Sequence, residues 1–253
     1  MSRHTIVDEA ACLESLTKLV RQALQKPRLS GILLCAPPGA GKTTLSEKED
    51  KKSGRPVLRL KHSVLYAAAS GDVEAGVESF FARAVAAAPA LILIDNIDAI
   101  APVAISGPAD LRAIAALDAA FDELALDEQS SAGIVILATA VNVFDIHPTF
   151  LRSSRLSVLL HVHPPNWSQR RQFLWTALKE AERNMPASSA NRKLSEGNIT
   201  HSDTLGHELD NIASMTPGFL SADLMGLFSS AVHENSRVES SASDPLGVSR
   251  DIV

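Results

Sequence analysis

The chain has 253 residues, 24 basic against 29 acidic, and a formal net charge of −5. That length holds one large or two small domains with a sizeable core, and 45% hydrophobic with 21% charged residues excludes wholesale disorder. The acidic balance argues against broad binding to nucleic acid, which needs a basic face, and two cysteines, Cys12 and Cys35, are too few for a disulfide scaffold or a zinc cluster.

Apolar positions at helical spacing over Asp8–Gln25 (Leu16, Leu19, Val20, Leu24) predict an amphipathic helix. Gly31–Cys35 is a short apolar run entering a Pro-Gly loop, the pattern of a buried strand feeding a turn. Val57–Leu60 predicts a second strand, and Asp72–Ala88 a helix that stops near Pro89. Leu91–Ile94 is unbroken apolar sequence ending in a carboxylate, as in a central parallel strand. A long helix over Asp110–Leu126 and strands over Gly133–Ala138 and Val158–Val162 complete the alternation. Strands alternating with helices predict an α/β fold with a parallel sheet.

After Pro164-Pro165 the pattern changes to helices at Trp167–Arg183, Leu205–Ser214 and Ser221–Ser236. The expected organisation is a core over 1–164, a small α-helical lid over 165–238 and a flexible tail over 239–253, with Ser188–Ser202 a polar loop. The longest apolar run, Ala84–Ile94, contains Pro89 and falls short of the roughly 20 residues a spanning helix needs. With no basic-then-apolar signal pattern at the start, a cytoplasmic protein without a transmembrane segment is expected.

The sequence Ala36-Pro37-Pro38-Gly39-Ala40-Gly41-Lys42-Thr43 follows the first strand directly. Small residues there let backbone N–H groups turn inward and cradle phosphate oxygens at a helix N-terminus. Lys42 would reach the β- and γ-phosphates of a nucleotide and the Thr43 hydroxyl would ligate Mg²⁺. The candidate phosphate-binding set is therefore Pro38, Gly39, Ala40, Gly41, Lys42, Thr43 and Thr44. Asp95, at the end of the Leu91–Ile94 strand, is the carboxylate expected to hold magnesium through water.

From Gly31 to Val238 the chain resembles one AAA ATPase domain, an α/β core followed by a helical lid. The phosphate loop, Leu91–Asp98, Ala138-Thr139, Arg152-Ser153-Ser154-Arg155 and Gly218-Phe219-Leu220-Ser221-Ala222-Asp223-Leu224 carry the resemblance. It implies ATP and Mg²⁺ as cofactors and a ring of like or unlike subunits, usually a hexamer, that remodels protein substrates. It also implies that Arg152 and Arg155 are paired arginine fingers reaching the neighbouring subunit's ATP.

Several positions depart from the family pattern. Asn96 stands where the family has the glutamate that polarises the attacking water, and an amide cannot accept that proton at neutral pH. Asp98, two positions on, is expected to point elsewhere. Ala140 or Val141 occupies the place of the sensor asparagine, with Asn142 a weak substitute. Ala68-Ala69-Ser70 replaces the pore-loop aromatic, and Tyr66 comes too early. The stretch Thr44–Lys52 has Leu45 as its only apolar residue, so its helix is expected to be short and frayed, or the stretch not to be authentic sequence. Asn96 and His147-Pro148 resemble the weakened first AAA domain of tandem peroxisome-biogenesis ATPases, which implies a location beside an organelle membrane. The combined expectation is an ATP-binding domain with weak hydrolysis of its own. The alternative is a structural ring subunit with static nucleotide or none; a DNA-loading relative would need a basic patch that this chain lacks.

Overall fold

A computed structural model of the chain describes residues 2–6, 9–25, 30–62, 73–126, 133–184 and 199–242. The chain divides into two compact units, Met1–His163 and Pro164–Val253. The first holds strands β1 (Ser2–Ile6), β2 (Ser30–Cys35), β3 (Val57–Leu60), β4 (Leu91–Ile94), β5 (Val135–Ala140) and β6 (Leu156–Val162). They form one sheet in the order β1-β6-β2-β5-β4-β3, every pairing parallel. Helices α1 (Glu9–Leu24), α2 (Lys42–Ser53), α3 (Val73–Ala86), α4 (Ile97–Ile100) and α5 (Pro108–Leu126) connect the strands. Single 3₁₀ turns lie at Val143–Asp145 and Pro148–Leu151. This is the expected α/β class.

Every residue of β4 and β5 is buried, which is why both read as continuous apolar runs rather than alternating ones. The scarcity of aromatics is offset by concentration: Phe80, Phe81, Phe121 and Phe150 form a chain of ring contacts with centroids 5.5–6.1 Å apart. These rings tie α3, α5 and the turn before β6 into one core. Edge-on contacts of this kind add about 0.5–1.5 kcal/mol each beyond their burial.

Strand register sets the site. Cys35 pairs with Ala140, and Ile94 with Ala138. The carboxyl ends of β2, β4 and β5 therefore emerge side by side, where open α/β sheets bind ligands.

One strand was not anticipated, and one expectation fails. β1 was not anticipated, because Ser2–Ile6 is mostly polar and pairs only along one side, with β6. The stretch expected to be frayed is instead the twelve-residue helix α2, closed by Gly54 in the left-handed conformation. Its inner side buries Leu45, Ser46 and Glu49. The buried polar groups are paired: Ser46 donates to the Thr43 carbonyl at 2.8 Å, and Glu49 accepts from the Thr17 hydroxyl of α1 at 2.5 Å. On its outer side, Arg59 of β3 bonds Asp50 at 2.5 Å and Glu47 at 3.4 Å. Hydrogen bonds thus do the packing that apolar residues were expected to do.

The second unit holds α6 (Trp167–Asn184), α7 (Ile199–Met215) and α8 (Ser221–Ala242). A capping box starts α6: Asn166 accepts from the Gln169 N–H at 3.0 Å while Gln169 accepts from the Asn166 N–H at 2.7 Å. Leu174, Leu209 and Leu224 form its small core with Phe173 and Phe219 against them. Trp167, which its apolar character would place in that core, is 45% exposed. The helix α7 begins at Ile199, inside the stretch expected to be loop, and α8 continues past Glu239 into the expected tail. The pore-loop positions Tyr66 and Ala68–Ser70 lie outside the described residues.

Candidate functional site

The loop from Ala36 to Gly41 joins β2 to the N-terminus of α2. Gly39 and Gly41 have φ of 86° and 82°, the left-handed region that costs other L-residues about 1–2 kcal/mol. The space around Gly41 is open, so its backbone angle, and not crowding, requires glycine. Ala36 N–H donates to Ala140 O at 3.2 Å, pinning the loop to the end of β5.

Lys42 is 8% exposed and folds back into the loop, donating to Ala36 O at 2.6 Å and Pro37 O at 3.2 Å. Burial lowers its pKa below the usual 10.5, while the carboxylates of Asp98 and Asp95 act the other way. Thr43, Thr44, Pro38 and Gly39 are exposed at the mouth of the loop, and Ala40 is buried. Left-handed glycines leading into a helix N-terminus, a retained ammonium and an exposed threonine fit a nucleotide's phosphates.

A relay of hydrogen bonds fixes the neighbouring strand ends. The Asn96 N–H donates to the Thr139 hydroxyl at 2.9 Å, and that hydroxyl donates to Asp95 Oδ1 at 2.6 Å. Asp95 is half-buried beside the phosphate loop, and its second carboxylate oxygen has the hard-donor chemistry that a magnesium ion takes. Asn96 is the one non-glycine residue with positive φ (51°) among the described residues. It starts α4 with its side chain exposed and making no cap hydrogen bond. Asparagine tolerates this conformation better than most residues.

Asp98 turns toward the end of β5. Its Oδ2 accepts from the Val141 N–H at 3.0 Å, and its Oδ1 is buried without a partner. Its charge acts on Lys42 more strongly than that of Asp95 does. It also helps burial push the Cys35 thiol up to about 12, so Cys35 stays protonated. At the sensor position Ala140 is buried and Val141 is 41% exposed. Asn142 accepts from the Phe144 N–H at 3.3 Å and so caps the 3₁₀ turn.

The expected arginine pair divides. Arg152 is exposed, as a group reaching another subunit must be. Arg155 is 1% exposed and turned inward, which corrects its expected role as a projecting finger. Its guanidinium bonds the carboxylates of Asp118 and, at 2.5 Å, Asp122, together with the Thr149 hydroxyl at 3.1 Å. Asp118 and Asp122 lie four apart on one face of α5, matching the two arms of the fork. Sequence reading missed this because the partners are more than thirty residues away, though two acids at that spacing are a signal.

Comparison with known proteins agrees with this geometry. The family described as "ATPase family associated with various cellular activities (AAA)" matches residues 32–164. The chain is 30% identical over 207 residues to ATP-dependent zinc metalloprotease FtsH 1 of Symbiobacterium thermophilum, covering 79% of this chain and 31% of that protein. It is 30% identical over 200 residues to Protein SAV of Sulfolobus acidocaldarius, covering 78% and 22%. With ATPase family gene 2 protein homolog B of Homo sapiens it shares 28% over 254 residues, covering 95% and 30%. The chain thus spans less than a third of the length of these relatives.

Proposed function

This chain belongs to the AAA family of ATPases, and we propose that it is a nucleotide-gripping AAA domain whose own hydrolysis is weak. The observation that carries the reading is an intact phosphate loop beside Asn96. Gly39 and Gly41 set the loop; Lys42, which rests on the Ala36 and Pro37 carbonyls, would turn to the phosphates, and Thr43, with Asp95 through water, would hold a Mg²⁺ that neutralises phosphate charge. Pro38, Ala40 and Thr44 complete the cradle. Asn96 can orient a water by hydrogen bonds but takes no proton from it, and a positioned general base is worth about 10²–10⁴-fold.

In this reading residues 1–164 are the nucleotide core and 165–238 the lid. The domain sits in a ring, taken as a hexamer of like or unlike subunits, and Arg152 serves the neighbour's ATP. Such a ring remodels a protein substrate, and Asn96 with His147-Pro148 supports a first-domain role of the peroxisome-biogenesis type at an organelle membrane. Among the described residues no helix is long and apolar enough to cross a membrane.

The deciding experiment is nucleotide affinity and turnover of the purified chain, with Lys42→Ala as control. ATP at 100 times its Kd should add about 2.7 kcal/mol of thermal stability, lost in the control. No binding at millimolar ATP overturns the reading in favour of a structural subunit. Turnover on the order of 1 per second or faster, lost in the control, overturns the claim of weak hydrolysis.

A further inference from the structure

The two arginines before β6 share a short segment but not an environment. Arg155 is anchored on every side. Besides its bonds to Asp118, Asp122 and the Thr149 hydroxyl, it donates to the Thr149 carbonyl at 3.3 Å and the Asp118 carbonyl at 3.5 Å. Its guanidinium carbon stands 5.9 Å from the Phe121 ring centre and 5.7 Å from that of Phe150. Asp122 and Phe121 belong to α5, and Thr149 and Phe150 to the 3₁₀ turn, so one side chain joins both elements. Thr149 closes the loop by donating to Asp118 at 2.9 Å.

The backbone of the same residue is fixed as well. Arg155 N–H donates to the Arg152 carbonyl at 3.0 Å, closing a tight turn that Arg152 opens and that has Ser153 and Ser154 at its corner. A side chain at Gly31 would collide with the Arg155 carbonyl; glycine there lets β2 press directly on this turn, where the β2–β6 register shifts. Burial works to raise the Asp118 carboxyl, but the bonds from Arg155 and Thr149 and the charge of Arg152 hold it below the usual carboxylate range. The Arg152 side chain itself is exposed.

We propose that Arg155 is a positioning residue, an internal brace that holds the 148–155 turn so that Arg152 alone serves as the arginine finger. This inference rests on the neighbour-directed role of Arg152 proposed above. It gives the two acids a role through Arg155: removing Asp118 and Asp122, which bond its guanidinium, must weaken the finger. Were Arg155 itself a finger, neutralising its internal partners would release it and leave activation unchanged or higher.

The test mixes two forms of the full chain. The acceptor carries Asn96→Glu, to restore the base, and Arg152→Ala. The donor carries Lys42→Ala and is otherwise unchanged, or adds Arg152→Ala, Arg155→Lys, or Asp118→Asn with Asp122→Asn. Loss of a finger lowers the acceptor's kcat by about 10³–10⁵-fold. The double-aspartate donor and the Arg155→Lys donor should lose a large part of the same activation through kcat, with the acceptor's KM for ATP nearly unchanged. Full activation by the double-aspartate donor overturns the brace. Failure of the donor's Arg152→Ala to matter, with ATP still bound, overturns the finger reading on which it rests.

A measurement on the unaltered chain decides the point even if the variants misfold or the chains do not assemble. Brief phenylglyoxal labelling, read by peptide mass, should modify Arg152 and spare Arg155. Equal labelling of both arginines overturns the brace.

Discussion

The two sides of the nucleotide site obey different constraints, although both stand on the same edge of the sheet. On the phosphate-loop side, function is written into backbone: left-handed glycines, a helix N-terminus and a lysine folded into its own loop. On the facing side, at the ends of β4 and β5, Asn96 presents a side chain that the fold does not need. Asn96 occupies its left-handed position comfortably, its amide exposed, while its N–H and Thr139 carry the structural bond. A catalytic residue held only by chemistry can be lost without unfolding the domain, whereas a grip made of backbone is retained with the fold.

The strongest way to break this contrast is to restore the missing chemistry. Asn96→Glu should raise turnover by about 10²–10⁴-fold with ATP affinity little changed, at a stability cost of about 1–2 kcal/mol for placing glutamate at positive φ. Steady-state turnover and a melting curve check both halves. An unchanged rate would mean that the facing side lacks more than its base.

Next in size is loss of the grip. Lys42→Ala should weaken ATP binding by about 2–5 kcal/mol, the cost of truncating one partner of a buried charge pair, while the fold stays intact. The wild-type affinity should also decline on the alkaline side at a pH below the usual lysine value of 10.5, because burial lowers the pKa of Lys42. Titration calorimetry across pH checks this. An affinity flat up to that value would place Lys42 in a wetter setting than its 8% exposure implies.

A smaller effect tests whether the facing side retains any structural duty. Thr139→Val removes the hydroxyl that joins the Asn96 N–H to Asp95. Leaving two such groups unpaired should cost about 1–3 kcal/mol, read as a lower melting temperature. Unaltered stability would show that the relay is replaced by water.

The same contrast explains what the sequence disclosed. The phosphate loop was legible because glycine spacing records backbone angles directly, and β4 and β5 were legible because full burial leaves an apolar run. α2 was not, because its inner side uses Ser46 and Glu49, whose partners lie on another turn or another helix. Neither was the Arg155 brace, since α5 supplies its acids from far along the chain. The Asp98 bond to the Val141 N–H was not legible either, because α4 is a single turn, too short for helical spacing to say where a side chain goes. What periodicity records is burial; it is silent on which polar groups meet across elements.

Glu49 lies on the back of the gripping side, away from the loop, and should give the smallest effect. Burial raises its pKa above the usual 4.5, while the Thr17 hydroxyl and the charges of Lys52 and Arg21 act to lower it. A carboxyl whose folded pKa is raised is penalised once the unfolded chain ionises first. Stability should therefore fall as pH rises from 4.5 to the raised folded value and stay reduced above it. Glu49→Gln keeps an acceptor for Thr17 but cannot ionise, so that fall should vanish. The variant should match the wild type near pH 4 and exceed it at neutral pH, within about 1 kcal/mol, in denaturant unfolding at several pH values. A variant weaker than wild type at neutral pH would mean that the cations outweigh burial, and that α2 is held to α1 by charge rather than by the Thr17 bond.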